Sequence, residues 1–203
     1  MKKHIYILFL LSTLTSFAQM TTYRNNQSLP YDETIELYKM LDGKYEKAKL
    51  IECGLTDVGK PLHLFLLNNN GIFSAEELHK KNECIILINN AIHPGEPDGV
   101  NASIEFAADI LSGRVKLPPH VTIAIIPVYN IDGSLIRGCC SRANQDGPEQ
   151  YGFRGNSRNL DLNRDFIKAD AENTKSFIKI FREWDPDVFV DTHVSDGADY
   201  QYT

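Results

Sequence analysis

Three short apolar runs, separated by segments of helical periodicity, constrain the fold of this chain more than any other feature. The runs are residues 83–90 (ECIILINN), 120–128 (HVTIAIIPV) and 187–193 (DVFVDTH), and each is rich in β-branched side chains. Residues 100–113 and 170–184 lie between them and repeat apolar side chains at helical spacing. Strands that alternate with helices predict an α/β fold whose mixed, partly parallel sheet is flanked by helices.

The preceding part of the chain adds a helix and a hairpin to this plan. Apolar residues at helical spacing predict a helix over residues 31–41. The strand-like runs 48–55 and 61–67 flank the turn-forming residues 56–60 (TDVGK), which predicts an antiparallel pair. We therefore expect one domain of ordinary size over residues 31–203.

The N-terminus has the pattern of a secretory signal peptide. Two lysines precede the apolar residues 5–14, and residues 16–18 (SFA) form a small-x-small cleavage site. The apolar stretch is too short to span a bilayer, which favours a cleaved peptide over an uncleaved anchor. Residues 1–18 are thus predicted to be a signal peptide and residues 19–30 a polar N-terminal segment. The mature protein is expected to be exported, either periplasmic or secreted, and free of the membrane after cleavage.

The charge pattern argues against two classes of partner. The formal net charge is -6, and the lysine and arginine side chains form no basic run or stripe. Nucleic acids and anionic membranes attract clustered positive charge. We therefore expect neither as a partner.

Cysteines occur at positions 53, 84, 139 and 140. An exported protein permits disulfides. Adjacent cysteines such as Cys139 and Cys140 rarely pair with each other, because the geometry is strained. Ordinary buried thiols or one structural bridge are the expected states, and cysteine zinc ligation is disfavoured because no CxxC spacing occurs.

Polar residues capable of chemistry follow each of the three apolar runs. His93 comes shortly after the first run, residues 130–133 (NIDG) follow the second, and His193 ends the third. The carboxyl ends of parallel strands meet at one edge of a sheet, where ligands bind in open α/β folds. The pattern therefore places these residues at a shared site.

The segment around His93 and the run that ends at His193 both suggest metal ligands. Glu96 lies three positions after His93, and the flanking prolines favour a tight loop that could aim both side chains at one ion. Asp191 shares a strand face with His193 and could orient that histidine or help to bind the ion. For any single histidine, a satisfied structural role is the more common alternative. Two histidines and one carboxylate together are the ligand set of a catalytic zinc.

The long Gly-, Asn- and Arg-rich loop over residues 138–160 and the segment after it form the third candidate element. Its polar side chains include Arg154, Arg158, Asn163 and Arg164. Arginine binds carboxylates through two parallel hydrogen bonds and polarises carbonyl oxygens. A solvated loop with surface ion pairs is the alternative interpretation, which composition alone leaves open.

Taken in order, these motifs resemble those of a known family. The succession of HxxE, NxDG, RGNSRNLDLNRDF (residues 154–166) and a strand that ends in His is similar to the zinc metallocarboxypeptidases. The resemblance covers roughly residues 31–203 and the N-terminal portion of the family domain. It implies a metallocarboxypeptidase-like (phosphorylase/hydrolase-like) fold that is incomplete at its C-terminus, with an exposed apolar sheet edge.

The resemblance implies a metal site that holds one zinc ion. His93, Glu96 and His193 match the zinc ligands of the family. Asp161 matches the acid that orients the first ligand histidine, and a carboxylate in that supporting role is also expected on chemical grounds.

It also implies the residues that handle the substrate. Arg154 matches the catalytic arginine that polarises the scissile carbonyl. Asn163 and Arg164 match the pair that binds the terminal carboxylate of the substrate. The implied activity is hydrolysis of C-terminal peptide bonds by a metal-activated water, with a peptide or acylated amino acid that has a free carboxylate as substrate.

Some features depart from the family pattern. Pro94 and Val194 stand where the family usually has small residues, which indicates a divergent subfamily. The general-base glutamate and the substrate-capping tyrosine of the family lie well downstream of the third ligand, and no glutamate follows His193 here. We therefore expect this chain to be an N-terminal fragment with weak or no activity.

Two alternatives to a carboxypeptidase remain open. A zinc amidohydrolase of the same superfamily could remove acyl groups from amino acids or trim peptidoglycan peptides with the same metal site. A non-catalytic module could retain the carboxylate-binding residues without the general base.

Overall fold

The computed structural model describes residues 26–142 and 145–194. The predicted signal peptide, residues 19–25 of the predicted polar segment and the residues after Val194 lie outside this part. Residues 26–30 lie against the rest of the domain, where the Ser28 hydroxyl donates to the Gln150 carbonyl oxygen at 2.9 Å.

The described residues form helices and strands whose order follows the alternation read from the sequence. The helices are α1 (Tyr31–Lys44), α2 (Ala75–Lys80), α3 (Asp98–Leu111), α4 (Ile131–Leu135) and α5 (Glu172–Trp184). The strands are β1 (Ala48–Leu55), β2 (Pro61–Asn68), β3 (Cys84–Asn89), β4 (Val121–Ile126), β5 (Arg137–Gly138), β6 (Tyr151–Gly152) and β7 (Val188–Asp191). Within the described part of the chain, no helix combines the length and apolar character needed to cross a membrane.

The main sheet has five strands in the order β1-β2-β4-β3-β7. Strand β3 lies parallel to both β4 and β7. Strands β1 and β2 form the predicted antiparallel hairpin, and β2 also runs antiparallel to β4. The prediction of a mixed sheet flanked by helices is confirmed. The three parallel strands end at the same sheet edge, where their connections build the candidate site.

Packing on both faces holds the centre of this sheet. Residues 62–68 of β2 are all buried, so both faces of this strand are covered. Helix α1 packs against β1 and α3, while α5 packs against β1 and β2. The largest buried side chains include Trp184 of α5 and the pair Tyr38 and Phe65, whose tilted rings have centroids 4.7 Å apart. Burial of apolar surface on this scale is the main force that holds the parallel strands in place.

The last strand is shorter than the sequence predicts. The strand expected over residues 187–193 is observed only over Val188–Asp191. Beyond it, the Thr192 amide still donates to the Asn89 carbonyl oxygen at 3.1 Å, but the His193 amide turns back to the Asp191 carbonyl oxygen at 3.0 Å. His193 therefore lies on a bend at the strand end.

Strand β7 forms an apolar edge of the sheet. It pairs with β3, and within the described residues it has no neighbour on its other side. Its side chains Val188, Phe189 and Val190 are 39–44% exposed. The apolar edge expected from the sequence is therefore present.

The pairing of the cysteines corrects the expectation from sequence. Cys139 and Cys140 are joined by a disulfide, whereas Cys53 and Cys84 are free. The argument against adjacent pairing assumed an ordinary backbone, in which neighbouring side chains point apart. Here Cys140 has a φ of 69°, a left-handed conformation that removes this assumption.

Candidate metal centre

His93 and Glu96 lie on a tight turn between β3 and α3. The Glu96 amide donates to the His93 carbonyl oxygen at 2.9 Å, and α3 begins at Asp98. Proline at positions 94 and 97 disfavours helix here, in agreement with the predicted tight loop. Both side chains are almost fully buried, with exposures of 2% for His93 and 3% for Glu96. The turn therefore presents two potential ligands from a well-packed position.

The bend after β7 brings His193 to the same place. Nδ1 of His93 lies 3.1 Å from Oε1 of Glu96, and the two imidazole rings meet edge to face with centroids 5.0 Å apart. One potential ligand atom from each of His93, Glu96 and His193 lies within 4.8 Å of the others. Two imidazoles and one carboxylate at this spacing fit a zinc ion that keeps its fourth position for water.

Asp161 supports this centre through His93. Its Oδ1 lies 3.1 Å from Nε2 of His93, which leaves Nδ1 on the side of Glu96. The same carboxylate accepts from Nε of Arg154 at 3.1 Å and from the Asn163 amide at 3.0 Å. Burial acts to raise the pKa of Asp161, but the hydrogen bond with His93 and the charge of Arg154 hold it below its ordinary value. Asp161 therefore remains an anion that links the histidine to the arginine.

The NIDG segment (residues 130–133) positions the backbone of Arg154. The Asn130 side chain donates to the Arg154 carbonyl oxygen at 2.9 Å and accepts from the Gly133 amide at 2.9 Å. A Cβ at Gly133 would collide with the Phe153 carbonyl oxygen, so glycine allows the two segments to touch. The side chain of Arg154 is 44% exposed.

Asn163 and Arg164 lie on a short 3-10 helix, Leu162–Arg164, that Asp161 caps. The Asn163 side-chain nitrogen is 3.2 Å from Nε2 of His193. Arg164 is exposed, and its Nη1 donates to the Asn163 carbonyl oxygen at 3.1 Å. Asn163 therefore borders the predicted ligands, while Arg164 faces outward.

Asp191 lies beside His193, but the predicted shared strand face is not observed, because β7 ends at Asp191 and His193 lies on the bend that follows. Its Oδ1 is 3.5 Å from Nδ1 of His193, which is long for a hydrogen bond. Burial raises the pKa of Asp191, although the charge of His193 acts in the opposite direction.

Arg158 does not join this group of residues. Its guanidinium donates to the Asp170 carbonyl oxygen at 2.9 Å and lies 3.5 Å from Oδ1 of Asp57. The arginine-rich pattern of the loop therefore combines one structural arginine with those that border the site.

Two contacts to Glu96 were not predicted from the sequence. Oε2 of Glu96 accepts from the Val194 amide at 3.0 Å, and Oε1 lies 2.8 Å from Nη1 of Arg142. Burial acts to raise the pKa of Glu96, but contacts with His93, the Val194 amide and Arg142 outweigh it and lower the pKa to about 2. The Gly-, Asn- and Arg-rich composition of residues 138–160 predicted a functional loop, but no motif spacing identified Arg142 as part of the site.

A cavity of about 440 Å³ opens beside Asp161, which contacts His93. Arg142, Phe153, Arg154 and Asp161 are among the residues that line it. It brings Arg142 and the predicted catalytic Arg154 to one space.

Comparison with known proteins agrees with this geometry. The sequence matches the family model of the zinc carboxypeptidases over residues 13–195. The chain therefore belongs to the zinc carboxypeptidase family. A search of curated proteins finds no match.

Solved structures of carboxypeptidases share the fold. A metallo-carboxypeptidase from Burkholderia cenocepacia superposes with a TM-score of 0.65 at 18% identity, covering 85% of this chain and 43% of its own. Carboxypeptidase A from Helicoverpa armigera gives 0.62 at 15% identity, covering 87% and 49%. Bovine thrombin-activatable fibrinolysis inhibitor, solved in complex with tick carboxypeptidase inhibitor, gives 0.62 at 16% identity, covering 84% and 62%. The chain thus spans less than two thirds of each of these proteins.

Proposed function

We propose that this protein is a zinc-dependent exopeptidase that hydrolyses C-terminal peptide bonds. The observation that carries the proposal is the convergence of His93, Glu96 and His193, whose ligand atoms lie within 4.8 Å of one another. Membership of the zinc carboxypeptidase family supports the same reaction.

His93, Glu96 and His193 would hold one zinc ion, and Asp161 and Asp191 would orient the two histidines. A bound zinc lowers the pKa of a coordinated water to about 7 and polarises a carbonyl oxygen. His93 is the better oriented of the two ligands, because Asp161 approaches its outer nitrogen at 3.1 Å.

Arg154 would stabilise the negative charge that develops on the scissile carbonyl oxygen. Its side chain is held by Asp161 and its backbone by Asn130. A preorganised donor of this kind contributes on the order of 3 kcal/mol to the transition state.

Asn163 and Arg164 would bind the free carboxylate of a peptide or of an acylated amino acid. The Asn163 side chain borders His193, and Arg164 offers an exposed guanidinium one residue further on. Recognition of a terminal carboxylate next to the metal would restrict cleavage to chain ends.

The first test measures zinc binding by the purified chain. We expect one ion per chain, and His93→Ala and His193→Ala should each weaken its binding by roughly 100-fold. His120→Ala is the matched control, because that side chain is 76% exposed and lies outside the trio. A folded wild-type chain that binds no zinc would remove the basis of the proposal.

The second test separates a carboxypeptidase from its alternatives. Peptides with free and amidated C-termini, acylated amino acids and peptidoglycan peptides are compared as substrates, both for residues 1–203 and for any longer natural chain. We expect weak or no turnover by residues 1–203, and cleavage of free-carboxylate peptides by a longer chain. Preference for acylated amino acids or peptidoglycan peptides would favour an amidohydrolase. Ligand binding without turnover in every chain would favour a binding module.

Export is part of the same proposal and rests on the N-terminal pattern alone. Cell fractionation of the native protein should place it in the periplasm or the medium with residues 1–18 removed. Mass spectrometry that finds an intact N-terminus in the cytosol would contradict it.

A further inference from the structure

Arg142 contacts the predicted metal ligand Glu96 from the long loop. Its Nη1 lies 2.8 Å from Oε1 of Glu96, and its side chain is only 10% exposed. A Cβ at Gly95 would come within 3.0 Å of Cδ of Arg142, so the missing side chain at that position makes room for the arginine. The guanidinium therefore reaches Glu96 by passing over the backbone of Gly95.

This guanidinium has little else to compensate its burial. Nε and Nη1 of Arg142 make no aligned hydrogen bond within the described residues, so the contact with Glu96 is one of charge. Oε1 of Glu96 is also the atom that lies 3.1 Å from Nδ1 of His93. The arginine and the predicted metal site therefore share one carboxylate oxygen.

The contact is held in place by the surrounding loop. The Arg142 amide donates to the Tyr151 hydroxyl at 3.2 Å, and the Gln145 side chain donates to the Gly95 carbonyl oxygen at 2.8 Å. Tyr151 is itself buried, with an exposure of 3%. Arg142 is thus a buried side chain whose position is fixed by its neighbours.

We propose that Arg142 is a positioning residue that acts through Glu96 and sets the metal affinity of the site. It is the counter-ion of Glu96 in the metal-free protein, and a divalent cation must compete with it for Oε1. Two positive charges on one carboxylate repel each other strongly when water is excluded. The cavity of about 440 Å³ that Arg142 lines gives the guanidinium room to move aside. This inference rests on the proposed metal site.

The test compares zinc and cobalt affinities, measured by competition with a chromophoric chelator at fixed pH. Arg142→Met removes the charge and keeps a long apolar side chain, and it should bind both metals about tenfold more tightly than wild type. Arg142→Lys keeps the charge and should stay within about threefold of wild type. Arg114→Met is the control, because Arg114 is an exposed arginine paired with Asp109, and it should change nothing.

A gain in affinity is a readout that structural damage cannot imitate, since damage weakens metal binding. Tyr151→Phe is a second variant in case Arg142→Met does not fold, because it removes the hydroxyl that holds the Arg142 backbone; it should bind metal severalfold more tightly. Unchanged or weaker binding by the folded variants overturns the inference while the metal site stands. If the folded wild type and both variants bind no metal, both this inference and the proposed function fail.

Discussion

The turn after β3 and the bend after β7 deliver the two predicted histidine ligands from very different surroundings. His93 is 2% exposed and has a carboxylate 3.1 Å from each of its ring nitrogens. The side chain of His193 is 34% exposed, and its nearest carboxylate, Asp191, lies 3.5 Å away. One half of the site is therefore fixed by the core, whereas the other half is fixed by the position of a single edge strand.

The sheet order explains this difference. Strand β3 is enclosed by β4 and β7, whereas β7 lies at the edge of the described sheet and pairs with β3. A strand with two neighbours gains hydrogen bonds and buried surface on both sides, but an edge strand gains them on one. Stability and site geometry should consequently respond differently to matched changes in the two regions.

The largest contrast is expected between two residues that face each other in register, Leu87 of β3 and Phe189 of β7. Leu87 is fully buried, and Leu87→Ala should destabilise the protein by about 2–5 kcal/mol. Phe189 is 39% exposed, so Phe189→Ala should cost about 1–2 kcal/mol through lost contacts with Phe177 and Phe181. Urea unfolding of the metal-free protein measures both. Equal costs would show that β7 is as firmly packed as β3.

The next contrast concerns the two histidines themselves. Zinc binding to a protein site contributes about 10–16 kcal/mol. If four ligands share this free energy, removing one by His93→Ala or His193→Ala should weaken zinc binding by roughly 100-fold. Only His93→Ala should also destabilise the metal-free protein, by about 1–3 kcal/mol, because it removes one hydrogen-bond partner from the buried Glu96 and one from Asp161. Calorimetric zinc titration and thermal unfolding in the presence of a chelator measure the two effects. A larger stability loss for His193→Ala would reverse the comparison.

The smallest contrast is in the acid stability of the metal-free protein. The pKa of Glu96 is lowered to about 2 in the folded state, so Glu96 stabilises the fold above its unfolded pKa and this contribution is lost as the pH falls. Between pH 5 and pH 3 the loss should be about 1–2 kcal/mol, and it should be absent in Glu96→Gln.

Asp191 should behave in the opposite sense. Burial raises its pKa, so ionised Asp191 costs stability, and that cost disappears as the pH falls through its raised pKa. Asp191→Asn should therefore steepen the acid-induced loss of stability, as measured by urea unfolding at stepped pH. A shallower loss in this variant would contradict the assigned direction.

The sequence predicted the parts of the molecule that depend on short-range pattern. The β-branched runs became β3, β4 and β7, and the rule for the carboxyl ends of parallel strands placed His93 and His193 at one edge. The resemblance of the RGNSRNLDLNRDF motif to the zinc metallocarboxypeptidases pointed to Asp161, which lies within hydrogen-bonding distance of His93. These features follow from periodicity and from motif order, both of which can be recognised in short stretches of the sequence.

Contacts that depend on loop geometry were not accessible in this way. The Arg142–Glu96 pair requires the loop to fold back across Gly95, and no periodic pattern encodes that path. The Cys139–Cys140 disulfide depends on a left-handed backbone at Cys140, which residue type alone does not predict. Likewise, β7 ends at Asp191 and not at the predicted His193, because the chain turns there.

The shared use of Asp161 by His93, Arg154 and Asn163 has an evolutionary consequence. A lineage that changes this aspartate alters the setting of a predicted ligand, a predicted oxyanion donor and a predicted carboxylate binder in one step. A neutral side chain at position 161 would therefore alter the surroundings of His93, the Arg154 guanidinium and the Asn163 backbone at the same time.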